Sequence, residues 1–122
     1  MAKILIADDS AFMRTVLKDI VSDSNWKDAQ VIEAGDGEEA VSKFNQEKPD
    51  LVLLDIVMPK KDGIEVLKQI GSIAHAVVIV SSVGQDKTIE DAKALGAKQY
   101  IVKPFDAKQV IETLNSLLPS PN

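Results

Sequence analysis

Leu51-Val52-Leu53-Leu54-Asp55-Ile56-Val57-Met58-Pro59 decides the fold: a short apolar run, one carboxylate, then more apolar residues before a proline. An apolar run of this length, closed by a charge, fits a strand buried on both faces, as in a parallel sheet covered by helices on each side. A carboxylate at its tip would stand where open parallel sheets bind ligands, outside the carboxyl ends of the strands. Two other runs end in a similar way. Lys3-Ile4-Leu5-Ile6-Ala7 is followed by Asp8 and Asp9, and Tyr100-Ile101-Val102 by Lys103 and Pro104. Three acids and one lysine are therefore expected to meet at one sheet edge.

Working outward, short apolar runs alternate with longer amphipathic segments, the order of repeated strand-helix units. Strands are expected at Ile4 to Ala7, Val31 to Ala34, Leu51 to Leu54, Val77 to Val80 and Tyr100 to Val102. The predicted class is α/β, a doubly wound five-stranded parallel sheet. The first helix is placed by Phe12, Val16, Leu17, Ile20 and Val21 on one inward face, with Ser10 as its N-cap. Asp36 with Glu39 predicts a capping-box start for the second, whose Ala40, Val41 and Phe44 face inward. Ile64, Leu67 and Ile70 mark the third, stopped by Gly71, and Ile89, Ala92 and Leu95 mark the fourth, stopped by Gly96. The fifth opens at Asp106, with Gln109 in the capping-box position and Val110, Leu114 and Leu117 inward. The tail Pro119-Ser120-Pro121-Asn122 is expected to be loose. Met13, Phe12 and Phe105 are read as packing residues.

The 122 residues suit one domain, and 45% hydrophobic with 27% charged residues is the composition of a globular chain. No repeat or interdomain linker is visible, so a single domain spanning residues 1–122, without an output domain, is expected. A net charge of -5 works against nucleic acid and anionic lipid as partners. There is no cysteine, hence no disulfide or thiol chemistry. Neither an apolar stretch long enough to span a bilayer nor a leader pattern is present, which predicts a cytoplasmic protein with no membrane partner. His75, the single histidine, is given no role.

Three carboxylates and one ammonium sum to about -2, and like charges at close range call for a counter-ion. Oxygen ligands without His or Cys favour Mg²⁺, with Mn²⁺ or Ca²⁺ able to substitute, and Asp9 with Asp55 are the expected direct ligands. A carboxylate beside such an ion can attack a phosphoryl group, with Lys103 stabilising the transferred oxygens, and Asp55 is then the nucleophile. Ser81, after the fourth run, can donate to a phosphoryl oxygen. Tyr100, three residues before Lys103, could turn inward as Ser81 moves. A phosphoryl group brings about -1.5 to -2 charges, enough to bias a bistable loop and helix.

Asp8-Asp9-Ser10, Asp55 with Met58-Pro59, Ser81-Ser82 and Tyr100-Ile101-Val102-Lys103-Pro104 together resemble the receiver domain of two-component response regulators, from Lys3 to about Leu118. Asp8 to Arg14 and Ala34 to Val41 look most like the stand-alone chemotaxis members of that family. The resemblance implies strand order 2-1-3-4-5 and phosphorylation of Asp55 by a histidine kinase of the chemotaxis (CheA) type. It further implies Mg²⁺ held by Asp8, Asp9 and Asp55 with the backbone carbonyl of Val57, and a phosphate contacted by Lys103 across a cis bond to Pro104. Ser81 is then the switch hydroxyl and Tyr100 the switch aromatic. Output through α4, β5 and α5 to a motor switch or adaptor protein, a phosphatase and a monomeric state complete the implied picture. In the best-known bacterial chemotaxis members Ser81 is a threonine and Val57 a polar residue. Side chains at the second position tune water access to the acyl phosphate.

Plainer readings exist for each residue. Asp8-Asp9 could be a polar turn, Asp55 a helix cap, Lys103 a solvated charge with Pro104 opening a helix, Ser81 a strand-end cap and Tyr100 a half-buried strand aromatic. Among other functions, a phosphohydrolase of the haloacid dehalogenase type needs an acid where Val57 stands, and a nucleotide binder needs a phosphate-cradling loop where Asp8-Asp9 would repel it. A phosphorelay intermediate that passes phosphate to a histidine remains open.

Overall fold

The computed structural model of the protein describes residues 2–119, and the expectation of a loose tail beyond Pro119 lies outside the described residues. Five strands and five helices alternate: β1 (Lys3–Ala7), α1 (Ala11–Ser22), β2 (Gln30–Ala34), α2 (Gly37–Glu47), β3 (Leu51–Leu54), α3 (Gly63–Ile70), β4 (Val77–Ser81), α4 (Asp86–Ala94), β5 (Gln99–Val102) and α5 (Ala107–Leu117). All pairings are parallel and the order is β2-β1-β3-β4-β5. The order reverses beside β1, so the crevice above β1 and β3 is the switch point of the sheet.

Alternation along the strands divides the core into two layers. Leu5, Ala7, Val52, Leu54, Val77 and Ile79 pack with Ala40 and Phe44 of α2, Val66, Leu67 and Ile70 of α3 and Ala92 of α4. Ile4, Ile6, Leu51, Leu53, Val78, Val80 and Ile101 pack with Leu17 and Val21 of α1 and Val110 and Leu114 of α5. The central β3 is buried along its whole length. Burying both faces is what permits its continuous apolar sequence. Trp26 is buried in the second layer, where its indole Nε1 donates to Asn115 Oδ1 at 3.0 Å.

Local signals acted mostly as expected. Ser10, Asp36 and Asp106 cap α1, α2 and α5 by accepting from Met13, Glu39 and Gln109 backbone N–H groups. The reciprocal half of the expected capping boxes at α2 and α5 does not form. Glu39 instead accepts from Gly35 N, one residue before the cap. The complete box belongs to α3, between Asp62 and Glu65.

One further expectation is corrected. Phe12 is 76% exposed rather than inward. The buried face of α1 runs through Met13, Leu17, Ile20 and Val21, and Phe12, one residue round the helix from Met13, is turned away from it to solvent; Met13 and Phe105 do pack against the second layer. Gly71 stops α3 as expected, at φ -58 and so without a left-handed turn. A glycine is needed there because a Cβ would stand 2.0 Å from the Leu95 carbonyl oxygen. Gly96 does adopt the left-handed conformation, at φ +115. Its N–H bonds Lys93 O, and Ala97 N–H bonds Ala92 O, the paired bonds of a Schellman stop to α4.

Candidate functional site

The strand ends create the site. Asp8 N donates to Ala34 O at 3.1 Å and Asp55 N to Ala7 O at 2.9 Å, so the ladder itself delivers both acids to the switch-point crevice. Lys103 arrives from the other side, its N–H donating to Ser81 O at 2.8 Å as β5 leaves the sheet. Asp8 is 1% and Asp55 7% exposed, Ser81 is fully buried, and Asp9 is exposed. One carboxylate oxygen from each of Asp8, Asp9 and Asp55 can be chosen so that all lie within 4.8 Å of one another.

Lys103 Nζ bridges the two buried acids, donating to Asp8 Oδ2 at 2.9 Å and Asp55 Oδ2 at 3.2 Å. Burial alone would lower its pKa. The Asp8 hydrogen bond and the charges of Asp55 and Asp8 outweigh that, and the ammonium is held above the usual lysine value. The remaining carboxylate oxygens are turned toward backbone donors: Asp8 Oδ1 accepts from Ser10 N at 2.9 Å, and Asp55 Oδ1 from Ile56 N at 2.7 Å and Val57 N at 3.4 Å. Among the described residues no buried side-chain nitrogen or oxygen lacks a partner.

The backbone behind Asp55 is closely packed. Gly63 N donates to Ile56 O at 2.7 Å, and a Cβ at Gly63 would lie 2.2 Å from the Asp55 carbonyl oxygen. Only glycine lets α3 start this near the strand tip. The Lys103-Pro104 bond is cis, as the resemblance implied.

Ser81 and Tyr100 belong to a second, linked group. Ser81 Oγ accepts from Val83 N at 3.2 Å, and the Tyr100 hydroxyl donates to the Val83 carbonyl. Tyr100 is half-buried against the α2-α3-α4 layer. Burial and then the Asp55 charge raise its phenol above the ordinary tyrosine value, with the Ser81 hydroxyl acting in the opposite direction. The β4-α4 loop thus ties both side chains together. Val57 stands 59% exposed beside the acids.

Every residue singled out from the sequence lies at this sheet edge except Tyr100, which reaches it through Val83. Two contributors were not foreseen: Val83, whose role is carried by its backbone, and Arg14, whose guanidinium donates to the Asp8 carbonyl and to Glu33 Oε1. Arg14 with Lys18, four residues on along the same helix, was the available signal, but nothing in the sequence pairs them with Glu33 on β2.

The donor set fits a hard divalent cation. Three carboxylates without nitrogen or sulfur ligands suit Mg²⁺ or Mn²⁺, and the bridging ammonium offsets part of their charge.

Residues 4–115 match the family model described as the response regulator receiver domain. The chemotaxis protein CheY of Listeria monocytogenes is 48% identical over 116 residues, covering 93% of this chain and 96% of the relative. CheY of Bacillus subtilis is 46% identical over 118 residues, covering 95% and 97%. Among solved structures, the CheX-CheY-BeF3-Mg complex of Borrelia burgdorferi is similar, with a TM-score of 0.86, 34% identity, and coverage of 97% of this chain and 90% of that one. The agreement of fold, strand order and residue match along nearly the whole chain leads to one conclusion: this chain belongs to the family of response regulator receiver domains.

Proposed function

We propose that the chain is a phosphorylation-activated response regulator of chemotaxis or motility, with Asp55 as its phosphoacceptor. The observation that carries this reading is the buried Asp55 carboxylate, within 4.8 Å of the Asp8 and Asp9 oxygens and 3.2 Å from Lys103 Nζ. In the reaction, an Asp55 oxygen forms a bond to phosphorus as the phosphorus-nitrogen bond of a phosphohistidine on the kinase breaks. The electron pair stays on the imidazole. Asp8, Asp9, Asp55 and the Val57 carbonyl would hold Mg²⁺, with Mn²⁺ or Ca²⁺ as substitutes. When bound, that ion supplies positive charge against the transferred oxygens. Lys103 turns from a carboxylate bridge to a donor for the phosphoryl group, and Ser81 donates to another of its oxygens.

The signal then leaves through the second group. A Ser81 hydroxyl drawn to the phosphoryl group gives up its bond from Val83 N, and Val83 is also the acceptor of Tyr100. Rearranging this loop alters the surface of α4, β5 and α5, where a motor switch or adaptor protein would dock. A histidine kinase of the CheA type would be the donor, and the CheX bound to the similar Borrelia protein supports a chemotaxis protein as partner.

Intact mass after incubation with acetyl phosphate, with and without Mg²⁺, tests the assignment. A Mg²⁺-dependent, hydroxylamine-sensitive adduct on the wild type and none on Asp55→Asn is expected. An adduct that persists on Asp55→Asn overturns it, as does a wild type that takes up neither phosphate nor beryllofluoride.

A further inference from the structure

We propose that Arg14 is a positioning residue for the acid cluster: anchored by Glu33, its guanidinium fixes the Asp8-Asp9 peptide and so sets the direction in which Asp9 presents its carboxylate to a divalent cation. The inference rests on the reading of Asp8, Asp9 and Asp55 as a cation site.

Asp8 and Asp9 are held in opposite ways. Asp8 is tied at every polar atom: its N–H to Ala34, its carbonyl to Arg14, and its two carboxylate oxygens to Ser10 and Lys103. Asp9 is exposed, and among the described residues no hydrogen bond or ion pair holds its carboxylate. Its direction therefore depends on the backbone, and the peptide joining it to Asp8 carries the carbonyl that Arg14 grips.

Arg14 is itself fixed. Its side chain is 18% exposed, and its Nε lies 3.0 Å from Glu33 Oε1. Glu33 stands on the outer strand β2 and is shared by Lys18 Nζ, 3.0 Å from Oε2, while Lys43 Nζ donates to the Glu33 carbonyl. Glu33 is held ionised by the Lys18 hydrogen bond, with Arg14 adding to it against a partial burial penalty. The planar fork of arginine can serve a carboxylate and a carbonyl at once, in fixed relative directions. A lysine, with a single point charge, cannot. The outcome is a brace from the sheet edge to the turn that carries Asp9.

Second-layer partners of metal ligands are typically worth about tenfold or more in affinity. Mn²⁺ titration followed by water-proton relaxation, without any phosphodonor, reads this directly at a temperature where every variant is folded. The wild type should bind, Asp9→Ala should lose most of its affinity, and Arg14→Met should bind about tenfold more weakly. Arg14→Lys should recover only part of that loss. Asn115→Ala, which removes the Trp26 bond far from the acids, should lower thermal stability and leave Mn²⁺ affinity at the wild-type value. Wild-type affinity in Arg14→Met, or in Arg14→Lys, overturns the proposal. If Arg14→Met does not fold, Glu33→Gln takes its place: weakened binding is expected, and unchanged binding overturns the proposal. A wild type that binds no Mn²⁺ overturns the cation reading itself, which separates that failure from the failure of the brace.

Discussion

α3 and α4 occupy equivalent places in successive strand-helix units, yet they are held very differently. α3 buries Gly63, Val66, Leu67 and Ile70, starts with a complete capping box, and rests its first residue against the backbone of Asp55. α4 buries only Ala92 and has no side-chain cap at Gln85. Most helix stability in proteins comes from packing of the apolar face, so α3 is bound into the sheet while α4 is the readily displaced element. The difference coincides with the proposed division of labour. The side that holds the acids is stiff, and the side that carries Ser81, Val83 and Tyr100 leads into a lightly held helix.

The strongest way to break this comparison is Gly63→Ala. Its new Cβ would overlap the Asp55 carbonyl, so a loss of about 3 kcal/mol in chemical denaturation is expected, together with impaired phosphorylation. A stable, active variant would show that the close approach behind Asp55 is not required. Next comes truncation of matched positions. Leu67→Ala should destabilise the protein by about 3 kcal/mol, and Ile89→Ala on the solvent-facing α4 by less than about 1 kcal/mol. Amide hydrogen exchange should find α4 opening before α3, and equal protection would erase the contrast.

The caps give a subtler contrast. Asp62→Ala should remove about 1 kcal/mol through α3, whereas Gln85→Asp should add a similar amount by supplying α4 with the cap it lacks. Thermal melts of the pair would decide this. A stiffened α4 should also weaken the response of the proposed docking surface to beryllofluoride.

The smallest effect lies outside both helices. Glu33 has a lowered pKa, chiefly from the Lys18 hydrogen bond, with partial burial opposing and Arg14 assisting. A depressed acid stabilises the fold above its unfolded pKa and loses that contribution as pH falls through the folded value. Glu33→Gln should therefore be about 0.5 kcal/mol less stable than wild type at neutral pH, a modest figure because the pair is partly exposed and screened, and the difference should vanish in acid. A gap that persists at low pH would point to packing rather than charge.

Much of the fold is legible in the sequence. Period-two and period-3.6 patterns are local, and the runs at Ile4, Val31, Leu51, Val77 and Tyr100 each became a strand with ends shifted by at most one residue. Phe12 shares an i, i+4 spacing with Val16 and Ile20, yet the buried face is centred on Met13, Leu17, Ile20 and Val21, and the period alone does not say which of two overlapping faces meets the sheet. Gly71 stops α3 as expected, but the reason a glycine stands there is the Leu95 backbone, 24 residues away in sequence. Periodicity contains no such information.

By itself, then, the sequence determined the α/β class, the five strand-helix units and the placing of Asp8, Asp9, Asp55 and Lys103 at strand ends, because these follow from burial pattern and local backbone preference. The tertiary structure decided the rest. It bridged Asp8 and Asp55 through Lys103, linked Ser81 to Tyr100 through the Val83 backbone, and set Arg14 between Glu33 and the Asp8 carbonyl. Each of these is a contact between separate elements, fixed by strand order, register and close packing, and a linear pattern does not encode those distances.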